Sequence, residues 1–400
     1  MSLDELFDEP SRRRLRLRRG RERVIANRHP WVFAGAIAEE SGPEAAAIAD
    51  LVDEKGERLA SGFYSARSQI RLRALTFGEE ALTPGVVRAR IAMAIARRRD
   101  LTSDATNAVR LVNAEGDDLS GLIADRYADM VVIEITNRGL EKVRPLVLEA
   151  IRGQVQPRGI YCKNDLPARS LEGLPQECEW LGEGEPLAEV RENGLAFLVD
   201  PREGQKTGFF LDQRENRRMA MSVAARKKTL NLFSYSGAFG VYAAAGGASH
   251  VENVDVSARA IDLARANHER NGTGGVASCI VADAFAYVRE RASSGERFDL
   301  VICDPPAFAR SRGEVDRAAR GYKDINLHAM RLAAPGATML TFSCSGHMSL
   351  DLFQKVIFAA ALDAGRRVSF VRRLTAGPDH PVSLYCPEGE YLKGFMLHIT

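Results

Sequence analysis

At 400 residues the chain is long enough for two or three domains with full cores, and 45% hydrophobic with 27% charged residues is folded, water-borne composition, which excludes a disordered or low-complexity chain. A formal net charge of +2 excludes a global polycation. Six scattered cysteines without a CxxC pair argue against a zinc ribbon or a disulfide framework, and neither an apolar leader nor a membrane-length apolar run is present. These features predict a cytoplasmic protein with no metal and no membrane partner.

Residues 1–11 read as a loose tail. Eight arginines follow between Arg12 and Arg23. The alternation over 14–18 predicts a strand with one charged face. Arg14, Arg16 and Arg18 then serve either as phosphate contacts or as the charged guard of an edge strand. HPWVFAGAI and the short runs up to Leu75 predict a small β-barrel. Trp31 and Phe33 are candidates for base stacking, with core packing the simpler reading. Residues 83–100 predict a connecting helix with Val87, Ile91, Ala94 and Ile95 as its apolar stripe. Residues 109–165 predict a small α+β domain. Its acidic turn, Glu115 to Asp118, lacks calcium-loop spacing and reads as turn chemistry.

A hairpin from Glu189 leads into GQKTGFFLDQRENR. From Thr229 onward, strands are expected at 229–233, 251–255, 277–281, 298–303 and 337–343, with helices at 257–271 and 349–364. That alternation predicts an α/β, doubly wound parallel sheet. Domain boundaries are expected at 12–85, 86–188 and 189–400.

The first strand of that sheet enters Ser234-Tyr235-Ser236-Gly237-Ala238. Glycine permits close backbone approach, but the turn is not GxGxxG and carries no Lys or Arg, so it suits a nucleoside better than a pyrophosphate. Asp255 ends the second strand, placed for ribose hydroxyls. Asp283 ends the third, placed for an amino group. Each aspartate alone is ordinary helix-entry chemistry. The ordered series resembles the S-adenosylmethionine sites of class I methyltransferases.

Two later strands end in Asp304-Pro305-Pro306 and Ser343-Cys344-Ser345. Carbon 5 of a pyrimidine is a poor nucleophile until a thiolate adds to carbon 6. Cys344, in a polar turn, suits that task, whereas Cys303 and Cys279 read as inert core. Asp304 is placed to meet the cytosine edge. In RGYKDIN, Arg320 and Lys323 read as phosphate contacts and Tyr322 as a stacking ring, or else the segment is a helix start. His380, before Pro381, reads as structural.

The basic first strand and HPWVF resemble a PUA domain, a small RNA-binding barrel. Together with KTGFFLDQR, LNLFSYSGAF, DPPAF, RGYKDIN, TFSCSG and EGEYLKGF, they make nearly the whole chain resemble the ribosomal RNA large-subunit methyltransferase I family. The resemblance implies a class I methyltransferase (Rossmann-like) domain behind a PUA domain. It implies S-adenosylmethionine as cofactor and 5-methylcytosine in 23S ribosomal RNA, or a large-subunit precursor, as product. It places cofactor contacts on Gln213, Ser234, Gly237, Asp255, Asp283 and Asp304, and the nucleophile on Cys344. Where many relatives have Lys after Asp-Pro-Pro, this chain has Ala307, which leaves the acceptor of the carbon-5 proton open: water, Lys323 or another residue. Methylation of uridine or of a base nitrogen, and a non-catalytic assembly factor, are the alternatives. Oligomeric state is open, with a homodimer allowed.

Overall fold

The structure, a computed structural model, describes residues 2–400, with Met1 and the side chains of Val24 and Ser293 outside the description. The chain divides into two compact units. One holds Met1–Val190, Val199–Phe209 and Asp379–Gly389; the other holds Arg191–Leu198, Phe210–Pro378 and Glu390–Thr400.

In the first unit, β1 (Arg13–Leu17), β2 (Trp31–Phe33), β3 (Ile37–Ser41), β4 (Ile48–Val52), β5 (Arg58–Tyr64) and β6 (Ile70–Phe77) form one sheet in the order β2-β6-β5-β4-β1-β3. The predicted alternation is present: Leu15 and Leu17 are buried while Arg14 and Arg18 are exposed. The edge-strand reading is corrected, because β1 lies inside the sheet between β4 and β3. The loose tail is corrected too. Short 3-10 turns cover Asp4–Phe7 and Glu9–Ser11, Phe7 is buried, and the buried Arg12 guanidinium donates to Phe7 O at 2.7 Å and pairs with Asp50 at 3.0 Å. A buried cation held by a carboxylate and a carbonyl is costly to free, so it fixes this segment.

A second sheet follows: β7 (Ala108–Asn113), β8 (Leu122–Tyr127), β9 (Met130–Ile135), β10 (Gly159–Asn164) and β11 (Glu177–Gly182), in the order β11-β10-β9-β8-β7. The connecting helix spans Pro84–Ala96, capped by Thr83, with the predicted stripe of Val87, Ile91, Ala94 and Ile95 buried. The acidic turn is indeed turn chemistry: Asp117 accepts two bonds from Arg98 at 2.7 Å each and the Asn113 N–H at 2.7 Å. His380 is also structural. It is buried, with Nδ1 at 3.0 Å from Asp379 Oδ1, and Asp379 Oδ2 accepts the Arg110 N–H.

A hairpin, β12 (Ala188–Glu192) and β13 (Leu195–Val199), precedes the second unit's sheet. That sheet contains β14 (Lys228–Leu232), β15 (His250–Asp255), β16 (Ala277–Val281), β17 (Phe298–Cys303), β18 (Ala333–Ser343), β19 (Val368–Leu374) and β20 (Lys393–Ile399). Among the described residues its order is β16-β15-β14-β17-β18-β20-β19. The five predicted strands are all there and parallel. The all-parallel expectation fails only at one edge, where β20 inserts antiparallel between β18 and β19. The strand order turns around at β14, so the ends of β14, β15 and β17 open onto one crevice, the general ligand position of such sheets.

Candidate active site

Strand register sets the reacting end. Cys303 of β17 pairs with Leu232 of β14 on one side and Thr341 of β18 on the other. Each strand then runs into its own loop, so the turn after Leu232, Asp304-Pro305 and Ser343-Cys344 emerge side by side. Proline has no N–H to continue the ladder, so β17 stops there. Cys344 is half-buried, and its thiol donates to the Pro305 carbonyl at 3.7 Å. The thiol and the carboxylate-bearing loop are therefore neighbours, as predicted. Cys303 is fully buried, and burial, with the charge of Asp304 adding to it, pushes its thiol well up; that one is inert.

A chain of amides aims Asp304. Asn216 Nδ2 donates to Gln213 Oε1 at 2.6 Å, which turns Gln213 Nε2 to Asp304 Oδ2 at 3.0 Å. Asn216 is itself anchored on Thr375 O at 3.1 Å. The Cys344 loop is pinned from the other side. Ser345 Oγ accepts the Ala309 N–H at 3.2 Å and lies 2.9 Å from the Tyr322 hydroxyl, while Lys393 Nζ donates to Ser345 O at 2.9 Å.

The turn after β14 is strained. Phe233, Tyr235 and Gly237 have φ of 57°, 44° and 70°. Positive φ at two aromatics costs free energy and persists only where the surroundings impose it. Here Ser234 N–H binds Val254 O at 3.0 Å, and Tyr235 N–H binds Asp255 Oδ2 at 2.9 Å. Gly237 is required twice over, by its φ and because a Cβ would lie 2.7 Å from that of Ala264. Asp255 Oδ1 accepts the Ser257 N–H at 2.9 Å, and Asp283 caps the next helix through Ala286 N–H at 2.8 Å. The helix-entry role is thus real for both aspartates, and each carboxylate keeps lone pairs for a ligand. Ser234 Oγ is buried and has no partner, an unmet polar atom beside the turn. An unpartnered hydroxyl, a strained turn without cationic side chains and two carboxylates in sequence fit the adenosyl and amino-acid parts of S-adenosylmethionine.

RGYKDIN lies in the middle of the helix Val315–Leu332, so the helix-start reading is corrected; Ser311 and Glu314 form the capping box upstream. Tyr322 does not meet the stacking expectation: it is fully buried, 4.6 Å from the Phe308 ring, with its hydroxyl on Ser345. Lys323 pairs with Asp363 at 2.7 Å, and Arg320 is exposed.

In the first unit Arg16 pairs with Glu39 at 2.8 Å, Arg14 donates to Gly56 O and Arg18 to Ile37 O. Arg14 and Arg16 line a cavity of about 260 Å³ whose other walls include Glu39, Asp53 and Glu54, so its charge is mixed. A larger cavity, about 840 Å³, is lined by Arg23, Arg28, Trp31, Phe33, Leu384 and Tyr385 among others. Core packing is corrected for Phe33, which is 48% exposed; Trp31 is half-buried and donates its indole N–H to Glu115 at 2.9 Å. Nearby, donor atoms of His29, Cys386 and Glu388 lie within 4.8 Å of one another. Trp31 N–H donates to His29 Nδ1 at 3.0 Å, so in the neutral ring Nε2 carries the proton toward Glu388 at 3.3 Å. That tautomer turns a hydrogen, not a lone pair, into the cluster.

Sequence reasoning missed Lys393 and the Ser345 bridge. A lysine inside the apolar run Leu392–Phe395 was the available signal.

A family profile for S-adenosylmethionine-dependent methyltransferases matches residues 173–387, and one for PUA-like domains matches residues 15–77. The ribosomal RNA large subunit methyltransferase I of Shewanella denitrificans is 44% identical over 96% of this chain and 99% of its own length. Its namesake in Klebsiella pneumoniae is 40% identical over 96% and 98%. A solved structure assigned as an S-adenosylmethionine-dependent methyltransferase from Streptococcus mutans matches with a TM-score of 0.82 at 22% identity, covering 96% of this chain and 99% of its own. A second, in complex with SAH, reaches 0.83 at 23% with the same coverage. These two show the fold alone. With its turn, carboxylates and buried hydroxyl suited to S-adenosylmethionine, the chain belongs to the ribosomal RNA large subunit methyltransferase I family and takes its methyl group from that cofactor.

Proposed function

We propose that this protein forms 5-methylcytosine in 23S ribosomal RNA, or in a large-subunit precursor, through a covalent bond between Cys344 and the cytosine. The observation that carries the reading is the half-buried Cys344 thiol 3.7 Å from Pro305 O, one residue from Asp304, on adjoining strand ends. The Cys344 thiolate adds to carbon 6, which pushes electrons toward carbon 5. Asp304, oriented by Gln213, meets N3 and the exocyclic amine, and a proton shared there takes up the charge that develops on the ring. S-adenosylmethionine supplies an electrophilic methyl group on its sulfonium sulfur. Carbon 5 takes that methyl, loses its proton, and the carbon 6–sulfur bond breaks to return Cys344. Ala307 has no group to take the carbon-5 proton, which passes to water, to Lys323 or to another residue of the site. A stacked cytosine hides both faces, so the base is flipped out of its stack before reaction.

The PUA-like barrel holds the RNA. Arg14, Arg16 and Arg18 add salt-sensitive phosphate contacts, and the cavity with Phe33 and Tyr385 adds aromatic faces on which a base can stack. Arg320 and Lys323 hold phosphates beside the target nucleotide.

RNA carrying 5-fluorocytidine tests the reading, because fluorine at carbon 5 cannot leave as a proton. Wild-type protein is expected to accumulate an RNA–protein adduct that survives denaturation and maps to Cys344. Methyl transfer to natural RNA with no such adduct would overturn the covalent route.

A further inference from the structure

Lys393 sits on β20 opposite Ser343, and only 5% of it is exposed. Its ammonium donates to Ser345 O at 2.9 Å, across the loop that carries Cys344. A carbonyl alone is a poor match for a buried cation, which needs a counter-charge. Burial pushes the Lys393 ammonium below the ordinary lysine value, opposed by the charges of Glu390 and Cys344, the groups that face it. Two of the groups beside Cys344 disfavour a thiolate. Its thiol donates to the Pro305 carbonyl, a contact that becomes repulsive once the proton leaves; Asp304 adjoins that carbonyl; Tyr322, from its helix, is a neutral phenol. We propose that Lys393 is a positioning residue that holds Cys344 as its thiolate, with the thiol proton released to solvent. The proposal deepens the reading of Cys344 as nucleophile and rests on it for its purpose. It assigns the activation step that a thiol nucleophile requires.

Alkylation by iodoacetamide across a pH series, followed on the Cys344 peptide by mass spectrometry, tests it without relying on methyl transfer. In the wild type the Cys344 midpoint should lie about one pH unit or more below the ordinary thiol value of ~8.5. Lys393→Met should raise it by about one unit or more, slowing alkylation near neutrality roughly tenfold, and Lys393→Arg should keep it low. A wild-type midpoint at or above the ordinary value overturns the proposal, as does an unchanged profile in a Lys393→Met protein that still binds the cofactor. If that variant does not fold, the wild-type midpoint decides alone. Should the shift appear while Cys344→Ala still methylates RNA, Lys393 tunes the thiol but the nucleophile reading fails.

Discussion

At the scale of single residues, Cys344 and Asp304 do different work and should fail differently. Cys344→Ala removes the bond-forming atom, so methyl transfer should fall at least about a thousandfold while cofactor affinity stays within about twofold. Isothermal titration with S-adenosylhomocysteine beside a turnover assay separates the two. Gln213→Leu should act through Asp304: it removes the 3.0 Å bond that aims the carboxylate and leaves Asn216 without its 2.6 Å acceptor. A loss in turnover of about ten- to a hundredfold is expected, with Cys344 alkylation unchanged; altered alkylation would show a wider rearrangement. The juxtaposition of the Cys344 and Asp304 loops was legible in the sequence because two successive strands of a parallel sheet each end in a reactive side chain at the same edge. Lys393 was not, because its meaning comes from a strand pairing distant in sequence.

Among the elements, the turn after β14 is the most constrained. Gly237→Ala would put a methyl group 2.7 Å from the Ala264 Cβ and force a side chain into φ 70°. A loss of about 1–3 kcal/mol in thermal unfolding is expected, together with weaker cofactor binding, because the same turn carries Ser234. Unchanged stability would mean that the turn relaxes freely. The parallel strands were readable because each is a short apolar run closed by turn residues. The antiparallel insertion of β20 was not, since hydrophobic period gives neither pairing partner nor direction. The misplaced helix start at RGYKDIN has a local cause. The true start signal, Ser311 with Glu314, lies upstream in the polar stretch after Asp-Pro-Pro.

For the molecule as a whole, a buried acid sets a pH dependence of stability. Glu134 lies in the first unit, and burial raises its carboxyl to about 7, partly opposed by Arg110 and reinforced by Asp125. The native state therefore holds a proton that the unfolded chain releases at an ordinary carboxyl value. That contribution is fully present at acid pH, declines above the unfolded value of ~4.3, and is gone as pH passes about 7. Its size is on the order of 4 kcal/mol at most. Glu134→Gln should flatten this loss, so that chemical denaturation gives the variant an advantage at pH above about 7 that shrinks toward acid pH. A parallel shift at every pH would refute the assignment.

The central claim is the covalent formation of 5-methylcytosine by Cys344. Its most direct test is labelled methyl transfer from S-adenosylmethionine into 23S ribosomal RNA lacking the modification, with nucleoside mass spectrometry of the product. The account predicts 5-methylcytidine from the wild type and no product from Cys344→Ala. Label in a methylated uridine or at a base nitrogen, or product formation that survives the loss of Cys344, would contradict it.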